Sequence, residues 1–174
     1  MKKGSCLLMA LLLVGCATAN IERLSQAQEQ RAVLQGGESV FVALPEDGVF
    51  EGHHYTDSGK YVQQYFYDNL LRYTDNVINA TTMLSLEEAK AEAKRQNAEI
   101  LIYPGIVHWE DRNTMWSGIR DKVRINVIVY SVVDNKTLDK TSLYATNAWA
   151  TFIQARPENR LKTIIPPYVK ALYE

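Results

Sequence analysis

Leu13-Val14-Gly15-Cys16 sets a cysteine behind a glycine and two apolar residues, at the end of a short apolar run. This is a lipobox, the pattern at which bacteria attach diacylglycerol and cleave. Lys2 and Lys3 supply the positive leading segment, and Cys6 to Val14 the apolar one. That stretch is shorter than the roughly 20 apolar residues a membrane-crossing helix needs. The consequence for folding is severe. Cys6 leaves with the signal over residues 1–15 and Cys16 is consumed by lipid, so the mature chain has no thiol left for a disulfide or a cysteine-ligated metal. Packing alone must hold the domain together.

Residues 16–37 are expected to be the lipidated N-terminus and a tether, since Ala17 to Gly37 is rich in Gln, Ala, Glu and Ser. Part of it, around Ile21 to Leu34, reads as helix, with Gly36-Gly37 ending it. Residues 38–174 are expected to form a single domain, long enough for one core. The formal charge of -1 becomes slightly more acidic once Lys2 and Lys3 are removed. A nucleic-acid partner, which wants a basic patch, is thereby disfavoured. Ala17, rather than Asp, follows the anchor. By the sorting rule for Gram-negative lipoproteins, this points to the outer membrane facing the periplasm, with palmitate among the acyl chains.

Val40-Phe41-Val42-Ala43-Leu44, stopped by Pro45, reads as a buried first strand. Glu46 to Asp57 reads as loop. Ser58 is placed to cap a helix running to about Tyr73, with Val62, Phe66, Leu70 and Tyr73 near one face. Asn76 to Asn79 reads as a second strand. Ser85-Leu86-Glu87-Glu88 is a capping box, and the helix it opens turns Leu86, Ala89 and Ala93 inward. Ala98 to Tyr103 is the most continuously apolar strand and belongs at the sheet's centre. Pro104-Gly105 predicts a bulge before Ile106-Val107 resumes. Val123, Ile125, Val127 and Val129 alternate with polar residues. After a turn at Asp134 to Thr137, Leu138 to Trp149 returns as a hairpin partner. Pro166-Pro167 is expected to break or kink the last helix, leaving Tyr168 to Tyr173 as a last turn or two.

The expected fold is therefore α/β, in the order β-α-β-α-β-β-β-α. The strands form a mixed five-stranded sheet of order 2-1-3-4-5 packed with helices, and right-handed crossovers make the first three parallel.

Val42-Ala43-Leu44-Pro45-Glu46-Asp47-Gly48, Ser58-Gly59-Lys60, Ile102-Tyr103-Pro104, His108-Trp109-Glu110-Asp111-Arg112 and Trp116-Ser117-Gly118 resemble an uncharacterised bacterial lipoprotein family, the domain-of-unknown-function family numbered 4823. The resemblance spans nearly all of the mature chain and implies an envelope lipoprotein of this length. It brings no catalytic residues. More distantly, the element order is similar to the small α/β domain of periplasmic assembly factors. These include the N-terminal domain of TolB, the lipoprotein activators of penicillin-binding proteins and the curli secretion lipoprotein.

The densest cluster of chemistry is His108, Trp109, Glu110, Asp111, Arg112 and Trp116, where the central strand leaves the sheet. An imidazole and carboxylates suit zinc or proton sharing. On a strand, His108 and Glu110 share one face. His53-His54 point to opposite faces of any strand. No catalytic or cofactor motif is present, so no enzyme activity, no metal and no cofactor are expected. Tyr61, Tyr65, Tyr67 and Tyr73 are spread too widely around their helix for one stacking surface. Two functions remain open on the sequence. One is a non-enzymatic envelope lipoprotein that docks onto a protein partner in envelope assembly or maintenance. The other is a periplasmic small-molecule or glycan binder, or a hydrolase, working through the 108–118 loop.

Overall fold

Val40 to Ala43 and Ile100 to Ile102 carry apolar side chains on both faces of an extended chain, so each strand must be sandwiched. In the computed structural model, which describes residues 18–23, 33–110, 122–146 and 158–174, they form the middle of the sheet. The elements are β1 (Thr18–Arg23), β2 (Val40–Leu44), β3 (Val49–Phe50), β4 (His53–His54), α1 (Ser58–Leu70), β5 (Val77–Met83), α2 (Leu86–Arg95), β6 (Ile100–Glu110), β7 (Lys122–Ser131), β8 (Lys136–Thr146) and α3 (Glu158–Tyr173). The main sheet runs β1-β8-β7-β6-β2-β5, and β3 and β4 form a separate small hairpin.

β2 lies parallel to both β5 and β6, whereas β6, β7, β8 and β1 follow antiparallel. The five expected strands thus take the expected 2-1-3-4-5 order, and a sixth is added at the edge. That sixth strand corrects the reading of the tether. Thr18–Arg23 pairs with β8 instead of starting a helix at Ile21, and Leu34 is buried in the core. The stretch expected as loop between Glu46 and Asp57 contains the β3–β4 hairpin.

α1 and α3 cover one face of the sheet. Val62, Phe66 and Leu70 of α1 meet Leu161, Ile164, Ile165, Tyr168, Val169 and Leu172 of α3 over Val40, Val42, Ile100, Ile102 and the apolar side of β7. α2 covers the other face, where Ala89 and Ala93 sit on Phe41, Ala43 and Leu101. Its small residues allow close approach. Its start is the capping box read from sequence: Glu88 N–H donates to Ser85 Oγ at 3.4 Å, and Ser85 N–H donates to the Glu88 carboxylate at 2.8 Å. The Ser85 hydroxyl also donates to that carboxylate at 2.7 Å, and this bond, followed by the one from Ser85 N–H, holds the Glu88 carboxyl below its usual pKa.

Two proline readings need correction. β6 keeps its register with β7 through Pro104 and Gly105, and the irregularity falls between Ile106 and His108. The reason is that β2 accompanies β6 only over Ile100 to Ile102. Among the described residues, β6 has a strand partner on one side only from Pro104 onward, where a missing N–H is tolerated. α3 likewise runs unbroken through Pro166 and Pro167. Its buried stripe continues across them, and the prolines themselves are half-buried and exposed. The carbonyls they leave without a helical donor belong to Lys162 and Thr163, on the less buried side.

Leu101 is fully buried between α2 and the sheet, with Ile100 and Ile102 packed on the opposite face. Leu101→Ala is expected to lower unfolding free energy by about 2–5 kcal/mol. Urea unfolding measures it directly, and an unchanged midpoint would place the centre of the sheet elsewhere.

Candidate functional site

β6 is eleven residues long, and its last part projects beyond β2. Another segment has to cover that overhang, and residues 45–57 do so. Gly48 lies against Trp109, so close that a Cβ on Gly48 would overlap the Trp109 Cβ and Cγ. Phe50 places its ring edge-on to His108, with centroids 4.8 Å apart.

This covering loop is pinned to the start of α1. Asp47 accepts hydrogen bonds from Gly59 N–H at 2.8 Å and Asp57 N–H at 3.1 Å, and Gly48 N–H donates to Ser58 Oγ at 2.8 Å. Gly59 has its own reason to be glycine, because a Cβ there would strike the Pro45 carbonyl. Asp57, in the left-handed region at φ 66°, is the helix cap, and Ser58 is the first helical residue rather than the cap expected from sequence. Two of the segments that carried the family resemblance, 42–48 and 58–60, are thereby joined.

At the end of β6 the alternation of the strand sorts the candidate residues. His108 and Glu110 share a face, and His108 Nε2 lies 3.0 Å from Glu110 Oε2. Lys122 Nζ, from the facing strand, is 3.9 Å from the same oxygen. Glu110 is only 2 % exposed, whereas His108 is about one-third exposed. Trp109 points the other way. It is 1 % exposed and belongs to the main core, so it is not available as a surface anchor. Asp111, Arg112 and Trp116 lie outside the described residues.

His53 and His54 are exposed on β4, and the His53 ring packs on Tyr55 at 4.9 Å. Of the α1 tyrosines, Tyr61 is exposed and Tyr65 and Tyr67 are half-buried. Tyr73 lies beyond the helix end and stacks on Tyr173, with centroids 4.2 Å apart and planes 2° from parallel. Burial, with smaller contributions from Glu38 and Tyr73, raises the Tyr173 hydroxyl pKa. Among the described residues, no group of three or more His, Cys, Asp or Glu is placed to hold a metal. None of the described helices is long and apolar enough to cross a membrane.

A core-buried Trp109 beneath a covering glycine, beside a partly exposed imidazole on a buried carboxylate, defines a closed sheet end on an α/β domain. The same fold occurs in the PelC dodecamer from Paraburkholderia phytofirmans. The two are 14% identical and superpose with a TM-score of 0.66, covering 90% of this chain and 97% of that one. Weaker likenesses include the lipoprotein GNA1162 from Neisseria meningitidis, 9% identical over 64% of this chain and 84% of that one, at a TM-score of 0.49. Another is the LpoB C-terminal domain from Salmonella enterica, 8% identical over the same shares, at 0.39. No curated protein matches the sequence. The chain belongs to the DUF4823 family, a domain of unknown function, whose sequence profile matches residues 32–172.

The covering loop supplies a direct test of this geometry. Gly48→Ala should cost about 1–3 kcal/mol of stability through overpacking against Trp109. Val49→Ala, at a neighbouring exposed position, should stay within about 0.5 kcal/mol. Equal melting curves for the two variants would contradict the packing described.

Proposed function

We propose that this protein is a non-enzymatic, lipid-anchored envelope lipoprotein whose α/β domain docks onto partners during envelope assembly or maintenance. Cys16 carries the lipid, and the outer membrane's periplasmic leaflet is its address. The observation that carries the docking reading is the likeness of nearly the whole domain to a chain that assembles as a dodecamer. Extended to this chain, it makes copies of the same domain the first partners, with a further envelope protein acting on the assembly. The open edge of β5 supports contact between copies. Among the described residues no strand lies beyond it in the sheet order, and Met83 at its end is exposed. An uncovered edge is a ready template for another chain.

Radiolabelled palmitate should enter the wild-type protein, while Cys16→Ser should abolish labelling and release the protein from membranes. The detergent-solubilised wild type should have the mass of several copies by light scattering. A soluble, unlabelled wild type would refute the anchor, and a strict monomer would refute the assembly.

Recognition is also assigned to the 108–118 loop, because Arg and Trp are the residue types that dominate binding hot spots. Arg112→Ala combined with Trp116→Ala should remove a cross-linked envelope partner while leaving the melting temperature and lipidation unchanged. Chelator treatment should have no effect on cross-linking. Loss of folding in the double variant would instead make the loop structural.

A further inference from the structure

The backbone register aligns one residue from each of four strands across one end of the main sheet. Thr18 of β1 lies opposite Thr146 of β8, Thr146 opposite Lys122 of β7, and Lys122 opposite Glu110 of β6. Cys16 precedes Thr18 by two residues. An extended chain spans at most about 3.6 Å per residue, so no more than roughly 7 Å of chain separates the anchor residue from that end. A lipid on Cys16 therefore does not hold the domain on a long leash. Most of the chain expected to act as tether lies after the first sheet strand, not between lipid and domain.

The described surface at this end is mixed in character. The β3–β4 hairpin flanks the last residues of β6 through the Gly48–Trp109 and Phe50–His108 contacts. Val49 is 48 % exposed on it and Val107 55 % exposed on β6, both apolar. His53, His54 and His108 are the chain's three histidines, and all stand here with N–H groups suited to phosphate oxygens. Lys122 and Arg124 add cations, and Glu51 at the hairpin turn adds an exposed acid. Apolar side chains beside hydrogen-bond donors suit the boundary between headgroups and acyl chains.

We infer that this end of the domain, with Val49, His54 and Val107 foremost, lies against the phospholipid headgroups of the membrane that holds the anchor. The inference rests on the lipidation of Cys16 proposed above. The turn joining β7 to β8 then points away from the bilayer. Val133 on that turn is 73 % exposed, and the ten residues of β7 set it roughly 30 Å from the lipid-facing end at about 3.3 Å per residue.

The mature, lipidated protein lends itself to the test, because Cys16 is blocked and an introduced cysteine is the single free thiol. Val49→Cys, His54→Cys, Val107→Cys and Val133→Cys are each labelled with a small fluorophore. They are then reconstituted into phosphatidylethanolamine–phosphatidylglycerol vesicles containing lipids nitroxide-labelled near the headgroup. Labels at 49, 54 and 107 should be quenched at least twofold more than the label at 133. Three lipid-facing positions keep the comparison valid if one variant misfolds. Vesicle flotation without that contrast, or with the strongest quenching at 133, overturns the orientation alone. If wild type fails to float and Cys16→Ser behaves identically, the anchor reading fails and the orientation falls with it.

Discussion

β6 has eleven residues, but its parallel neighbour β2 supports it over only Ile100 to Ile102. Much of the rest of the molecule answers that mismatch. Over the supported part, both faces are covered and the strand is apolar without interruption. Beyond it, no described strand pairs with β6 on the β2 side, so Pro104 is tolerated, and a bulge at Val107 shifts the register. The overhang still carries Trp109, a large side chain that must be kept from water. Residues 45–57 fold down to shield it, which requires a glycine at 48 and the anchoring of Asp47 to the amides of α1. The loop's conformation follows from the length of a strand it never pairs with in the main sheet.

Without disulfides, the far side of the sheet depends on how α3 is held. Its apolar stripe supplies the area, and Asp139 supplies a directional tie. The Asp139 carboxylate accepts from Tyr168 Oη at 2.8 Å and Thr141 Oγ1 at 2.7 Å, joining helix to β8 inside the core. A buried carboxylate is tolerable only with such partners. Gln63 performs a similar task on α1, donating to the carbonyls of Val42 and Ala80, where β2 and β5 lose register. At that irregularity a side chain satisfies carbonyls that the strand pairing leaves open.

The central strands, both early helices, the capping box and the order of five strands were legible because each rests on local periodicity or capping chemistry. β1 was not. Thr18 to Arg23 has no strand pattern of its own, and its conformation comes from pairing with β8 more than a hundred residues away. The prolines misled for a related reason. Pro104 is awkward only if a strand has two neighbours, and the number of neighbours is a tertiary fact. In α3, the spacing of Leu161, Ile164, Tyr168 and Leu172 was the better guide than Pro166-Pro167. Trp109 is different, because its placement was readable. The alternation that put His108 and Glu110 on one face puts Trp109 on the other, into the core.

That alternation gives His108 and Glu110 a structural task whatever they contact. The bulge at Val107 resets which residues of β6 oppose β7, and after it His108 faces Arg124 and Glu110 faces Lys122. A slip of one residue would expose Trp109 and turn Glu110 into the core. Glu110 is already almost fully buried, so its carboxylate needs the imidazole 3.0 Å away and the ammonium beyond it. His108 stays beside Glu110 in any register because both lie on β6, whereas Lys122 is brought opposite Glu110 by the observed one. The Glu110–Lys122 pairing and the buried indole therefore favour the same alignment from opposite faces. They fix the shape of the sheet end to which β1 brings Cys16.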